Sequence, residues 1–141
     1  MFDLVGRSVL VTGGSKGIGR GIASVFARAG ANVAIAARSA GSLDEAVAEV
    51  DDLGDGTVIG VRVDVSDRGS CDEMAAAAVE AFGGLDVLCA NAGIFPDAPL
   101  ATMTPAQLDE IMGINVHGTF FAVQACLDAL TASGTGRIVL T

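Results

Sequence analysis

Eight residues near the N-terminus, Thr12-Gly13-Gly14-Ser15-Lys16-Gly17-Ile18-Gly19, carry the strongest chemical signal in the chain. Glycines at these spacings free the backbone to approach a phosphate, and a helix beginning among them presents N–H groups and partial positive charge to an anion. On a dinucleotide-binding reading, Gly13 permits the tight turn, Gly17 lets the backbone reach a pyrophosphate and Gly19 allows close helix–strand packing. Ser15, Lys16 and Ile18 complete the loop, and Lys16 adds a cation. A glycine-rich loop alone is weak evidence, the competing reading being a turn that merely joins strand to helix. Here an apolar run precedes the loop and a stretch of helical period follows it, which is the context a dinucleotide site requires.

Further polar groups stand at the ends of later apolar runs: Asp64-Val65, Asn91-Ala92-Gly93 and, beyond them, Asn115. Taken singly, Asp64 reads equally well as a strand-end turn former, Asn91 as a turn residue and Asn115 as a helix breaker. Charge at the end of the second run is more telling. A dinucleotide site that holds a free ribose 2′-hydroxyl places an acid there, whereas a 2′-phosphate repels an acid and favours a guanidinium fork. The chain reads Ala36-Ala37-Arg38-Ser39 at that point, so Arg38, assisted by Lys16, points to NADP(H) in preference to NAD(H). The lone His117 falls within a helical stretch and reads as a packing residue rather than an acid or base.

The elements that must position these groups alternate. Short β-rich runs at 8–12, 32–37, 57–63, 85–90 and 137–141 are separated by segments of helical period, the pattern of βαβ units and a parallel sheet covered on both faces. Ile18, Ile22, Val25, Phe26 and Ala29 trace the first helix, which Gly30 stops. Leu43, Ala46, Val47 and Val50 trace the second, with Ser42 and Glu45 as a capping box. Cys71, Met74, Ala75, Ala78, Val79 and Phe82 line the third, with Ser66 as its cap and Gly83-Gly84 as its end. Thr104-Pro105 opens a further helical region that runs to about residue 131 with a break near Gly113. Between residues 120 and 130 only Gln124 and Asp128 are polar, so this helix needs cover on more than one side. The last run, 137–141, reads as a buried parallel strand.

Composition narrows the class. The chain has 141 residues, 51% of them hydrophobic, and a formal net charge of −9 from 17 acids and 8 basic residues. Such an acidic surface repels phosphate backbones, which argues against a nucleic-acid partner. No apolar run approaches the length of a membrane span, and residues 1–7 lack the basic and apolar regions of a secretion signal, so the expected location is cytoplasmic. Cys71, Cys89 and Cys126 are odd in number and far apart, which implies reduced, buried thiols and no metal site.

In its T-G-x-x-x-G-x-G spacing, its Asp64-Val65, its Asn91-Ala92-Gly93 and its Asn115, the chain resembles the short-chain dehydrogenase/reductase family over all 141 residues, with loops most similar to bacterial 3-oxoacyl-[acyl-carrier-protein] reductases. The resemblance implies an α/β fold, a Rossmann-type doubly wound parallel sheet represented up to about the fifth strand, as one NADP(H)-binding domain spanning 1–141. It implies an oxidoreductase that moves hydride between NADP(H) and a small carbonyl or alcohol substrate, with a 3-oxoacyl thioester as one candidate, in a homotetramer or homodimer. Asp64 and Val65 would contact adenine, and Asn115 would hold a water in the proton relay. In this family a Ser after the fifth strand and a Tyr-x-x-x-Lys complete the catalytic set. The chain contains no tyrosine, so the 141 residues are expected to be an N-terminal part, inactive alone. The alternative is a non-catalytic nucleotide-binding or dimerising module complete at residue 141. The loop 94–99, with Phe95, is the one segment here expected to line a substrate pocket.

Overall fold

A computed structural model describes residues 3–141; Met1 and Phe2, the start of the segment scanned for a secretion signal, lie outside the described residues. Five parallel strands form one sheet in the order β3-β2-β1-β4-β5. These are β1 (Ser8–Thr12), β2 (Asn32–Ala37), β3 (Val58–Arg62), β4 (Val87–Ala90) and β5 (Arg137–Leu140). The connecting helices are α1 (Gly17–Arg28), α2 (Ala40–Asp51), α3 (Arg68–Phe82), α4 (Pro105–Ile111) and α5 (Gly118–Ala132). This is the expected Rossmann-type α/β architecture.

Side chains that alternate along the strands feed two cores, one on each face of the sheet. Val9 and Val11 of β1 and Val33 and Ile35 of β2 meet Ala23 and Ala27 of α1 and Leu43, Ala46 and Val50 of α2. Leu10, Ala34, Ala36 and Leu88 face the other way, against Cys71, Met74 and Ala78 of α3 and Ala122, Cys126 and Leu130 of α5. Because β1 and β2 are covered on both faces, their apolar runs are continuous and their boundaries fall where the sequence puts them. The three cysteines are buried and unpaired. Burial pushes the Cys71 and Cys89 thiols up to about 11 and that of Cys126 to about 12.

Several local expectations shift. In α1 the buried positions are Gly19, Ala23 and Ala27, while Ile18 is 73% and Val25 65% exposed. Small residues bring this helix close to the sheet, and the larger ones go to its flanks. Ser39 rather than Ser42 caps α2, accepting from the Ser42 backbone N–H at 3.5 Å. Ser42 instead donates its hydroxyl to the Ser39 carbonyl and to the Ser15 hydroxyl. At α3 the cap is Asp67, whose carboxylate accepts from Ser70 N–H at 2.8 Å, because the Ser66 hydroxyl is already donated to Asp64. A capping box does occur, at Thr104 and Gln107, with Pro105 in the first helical position as expected. No break follows at Gly113: the helix continues through a π turn, Met112–His117, into α5. The fifth strand is exposed along its length rather than buried. It pairs with β4 on one side and is the sheet edge on the other, so its apolar residues meet one neighbouring strand.

At the N-terminal ends of the strands Asp86 collects three donors. Its carboxylate accepts from Ser8 N–H at 2.9 Å, from the Ser133 hydroxyl at 2.7 Å and from Arg7 Nη1 at 3.1 Å. These tie β1, the approach to β4 and the α5–β5 turn together. The Asp86 side chain is only 19% exposed, and burial alone would raise its pKa. The Ser133, Ser8 and Arg7 contacts outweigh that penalty and hold the carboxyl below the usual aspartate value. An acid with a depressed folded-state pKa contributes stability that is present above the unfolded value and is lost as pH falls through the folded one. Wild-type stability in urea should therefore drop as pH falls below about 4. The Asp86→Asn variant, whose amide N–H groups face donors, should start roughly 2 kcal/mol lower and lose less over the same window; equal acid sensitivity of the two proteins would refute the assignment.

Candidate dinucleotide site

A cleft of about 260 Å³ opens at the C-terminal ends of the strands, lined by Gly13, Ser15 and Lys16 after β1, Arg38 after β2, Asp64 and Val65 after β3, and Ala92 and Gly93 after β4. It lies where the strand order reverses, with β1 flanked by β2 on one side and β4 on the other. Crevices at such switch points are where open α/β sheets bind ligands.

The glycine loop is held by a reciprocal set of hydrogen bonds. The Thr12 hydroxyl accepts from the backbone N–H groups of Asn91 (3.0 Å) and Ala92 (3.1 Å). In return the Asn91 side-chain amide donates to the carbonyls of Thr12 (3.2 Å) and Gly13 (3.3 Å). Asn91 thus braces the loop from behind and does not line the cleft, whereas Ala92 and Gly93 do. Gly13 has φ +65°, and a Cβ there would sit 2.8 Å from the Ala92 Cα, so position 13 needs glycine on both counts. At Gly19 a Cβ would collide with the Gly13 carbonyl and the Asn91 amide. The packing that Gly19 permits is therefore against the loop and Asn91. Gly17 begins α1, and Ile18 projects from its first turn. Lys16 is the N-cap of α1 but makes no side-chain cap, so the first N–H groups of the helix remain available beside the cleft.

Asp64 turns its carboxylate back on Ser66, accepting from the backbone N–H at 3.0 Å and from the hydroxyl at 2.6 Å. Hydrogen bonding by Ser66, with a smaller contribution from Arg38, keeps its carboxyl below the usual range despite partial desolvation. Asn115 lies in the π turn and is paired with the loop after β4: its amide oxygen accepts from Ile94 N–H at 2.8 Å and its amide donates to the Ile94 carbonyl at 2.9 Å. Its side chain locks Ile94, and Ile94 and Ile114 both line the cleft. Phe95 is 98% exposed and packs neither on the cleft nor on its own loop. His117 contacts Phe121, the rings 6.2 Å apart and tilted.

Sequence reasoning passed over Ser39, Ser42 and Ile114 as cleft residues. Ser39 directly follows Arg38 and Ser42 stands one helical turn further on, but the cap signal of Ser42 obscured that placement. Of the loop 94–99, expected to line a pocket, only Ile94 is among the residues lining this cleft, where Asn115 grips it.

The residues fit a dinucleotide. The loop offers backbone that a Cβ would fill, and Lys16 and Arg38 line the cleft without a carboxylate partner: the ion pairs among the described residues are Arg7–Asp86, Arg20–Glu49 and Arg68–Asp72. Among the described residues, no helix is long and apolar enough to cross a membrane.

Residues 7–141 match the family described as short chain dehydrogenase. L-Rhamnose 1-dehydrogenase (NAD(P)(+)) of Sphingomonas sp. (strain SKA58) is 41% identical over 138 residues, which cover 97% of this chain and 54% of the relative. A short-chain type dehydrogenase/reductase from Mycobacterium marinum superposes with a TM-score of 0.92 at 34% identity, covering 99% of this chain and 55% of that one. An alcohol dehydrogenase from the archaeon Thermococcus sibiricus, complexed with 5-hydroxy-NADP, gives 0.88 at 31% identity, with 95% and 57% covered. The chain spans about half the length of these relatives. None of the three is by name a 3-oxoacyl-[acyl-carrier-protein] reductase.

Replacing Thr12 with the near-isosteric Val leaves the Asn91 and Ala92 N–H groups without their acceptor. Thr12→Val should lower unfolding free energy by about 1–3 kcal/mol, and Thr12→Ser should recover most of it; indistinguishable urea curves for wild type and Thr12→Val would show that the brace carries no energy.

Proposed function

This chain belongs to the short-chain dehydrogenase family, and we propose that residues 1–141 form the NADP(H)-binding domain of an oxidoreductase acting on a small carbonyl or alcohol substrate. The observation that carries the reading is Arg38: a cation at the end of β2, lining the cleft, without an ion pair among the described residues and with no acid in the sequence where a ribose-binding carboxylate would stand. Bound NADP(H) would supply the hydride. The chain's own residues would hold it: the α1 N-terminus and the glycine loop would receive the pyrophosphate, Arg38 and Lys16 the 2′-phosphate, and Asp64-Val65 the adenine side. Asn115 would act by fixing the Ile94 loop, and its remaining N–H and lone pair could hold a water.

The likeness to a rhamnose dehydrogenase favours a polyhydroxylated substrate over a 3-oxoacyl thioester. No tyrosine is present to transfer the proton, so the 141 residues alone should bind without turning over. A non-catalytic nucleotide-binding or dimerising module would share that binding step and reduce no carbonyl. Free, buried thiols suit a reducing compartment, consistent with a cytoplasmic location. Leu108, Met112, Val116, Phe120 and Leu127 stand exposed along α4, the π turn and α5, an apolar stripe suited to a homodimer or homotetramer contact.

Titration calorimetry should find NADPH bound at least tenfold more tightly than NADH, the margin expected of a charge-assisted guanidinium–phosphate contact of about 1.4 kcal/mol or more. Arg38→Ala should abolish most of that margin, and equal or tighter binding of NADH by wild type would overturn the NADP(H) reading. For the assembly, sedimentation of wild type at micromolar concentration should show an oligomer that Phe120→Asp, at a position 59% exposed, dissociates. A wild-type monomer would refute the oligomer.

A further inference from the structure

Arg62 ends β3 and pairs in register with Ala37, the last residue of β2. That register sets Arg62 beside Arg38. Its Nε donates to the Arg38 carbonyl at 3.3 Å, and the two arginines line a depression continuous with the dinucleotide cleft, the two sharing Arg38, Val63 and Asp64. Two cationic side chains that line one depression repel each other, and an anion bound there would relieve that repulsion. The chain has ample acids to neutralise them, 17 against 8 basic residues, yet among the described residues neither arginine has a carboxylate within 4.0 Å. Asp64 spends its carboxylate on Ser66, and Asp44 and Asp51, which line a second depression beside Arg62 on the α2 side, form no ion pair with it. Glu73 borders the first depression without forming an ion pair.

We infer that Arg62 is a second, specificity-determining contact for the 2′-phosphate: its Nε fixes the backbone that carries Arg38 while its terminal nitrogens share the phosphate with Arg38. This inference rests on the NADP(H) reading. It adds a prediction that reading does not make, since Arg62 lies on a different strand from the residue that charge at the end of β2 singles out. A phosphate held by two forks is bound through several charge-assisted hydrogen bonds, and a ligand lacking the phosphate gains none of them.

NADP+ and NAD+ differ only in that phosphate, so their dissociation constants for wild type, Arg62→Ala, Arg62→Lys and Arg38→Ala isolate the contribution. Arg62 is exposed on an edge strand, and thermal melts will verify that the variants fold. Arg62→Ala should weaken NADP+ about tenfold and leave NAD+ unchanged, with Arg62→Lys recovering part of the loss because it keeps the charge without the fork. Equal weakening of both nucleotides would make Arg62 a purely structural residue and overturn the inference. So would an unchanged NADP+ affinity alongside a weakened Arg38→Ala, which leaves the NADP(H) reading standing. A wild type that does not distinguish the two nucleotides defeats both.

Discussion

A side chain at position 19 would have to share space with the Gly13 carbonyl and the Asn91 amide. Helix α1 can therefore start where it does only because Gly19 has no Cβ, and this approach fixes three segments together: the end of β1, the first turn of α1 and the turn after β4. Asn91 and Thr12 close the arrangement with four hydrogen bonds. Each is worth little net, but every donor and acceptor in the set is one that would be expensive to leave unmatched. The floor of the cleft is thus backbone in a fixed conformation, so a ligand there gains its contacts without ordering the loop.

Charge acts on a different scale from this packing. The net charge of −9 sets a repulsive field at long range, but salt screens exposed charges beyond roughly 8–10 Å. Within that distance of the end of β2 the disposition of individual groups decides. Asp64 is occupied by Ser66, while Lys16, Arg38 and Arg62 have no carboxylate in contact among the described residues. An acidic protein can in this way keep a locally cationic patch beside the cleft.

Sequence reasoning found what depends on period and burial. Strands β1 and β2, covered on both faces, matched to the residue because a run buried on both sides has sharp ends. The glycine loop, Asp64-Val65 and Asn91-Ala92-Gly93 follow β1, β3 and β4, as the apolar runs before them imply. Helix starts at α2 and α3 were missed by one to three residues, since Ser39, Ser42, Ser66 and Asp67 all have capping side chains and tertiary partners chose among them. The π turn was read as a break: Gly113 signals a weak helix, while the grip of Asn115 on Ile94, which rewards the extra residue, comes from 21 positions away. Exposure of β5 depends on what lies beside it, which no local pattern encodes. Arg62 was invisible for the same reason, because only the strand register brings it to Arg38.

Stability and binding occupy opposite ends of one strand. Ser8, at the start of β1, joins the Asp86 network, and Thr12, at its end, joins the Asn91 brace. Four residues of strand separate them by about 13 Å, farther than the range over which substitutions ordinarily couple. Asp86 gathers the N-terminal ends of the sheet through a partly buried, hydrogen-bonded carboxylate that makes no contact with the glycine loop. Thr12 differs because its hydroxyl both satisfies two half-buried N–H groups and positions the Ala92 backbone that lines the cleft. The same close packing, against Ala92 at position 13 and against the Gly13 carbonyl and Asn91 at position 19, leaves Gly13 and Gly19 little alternative.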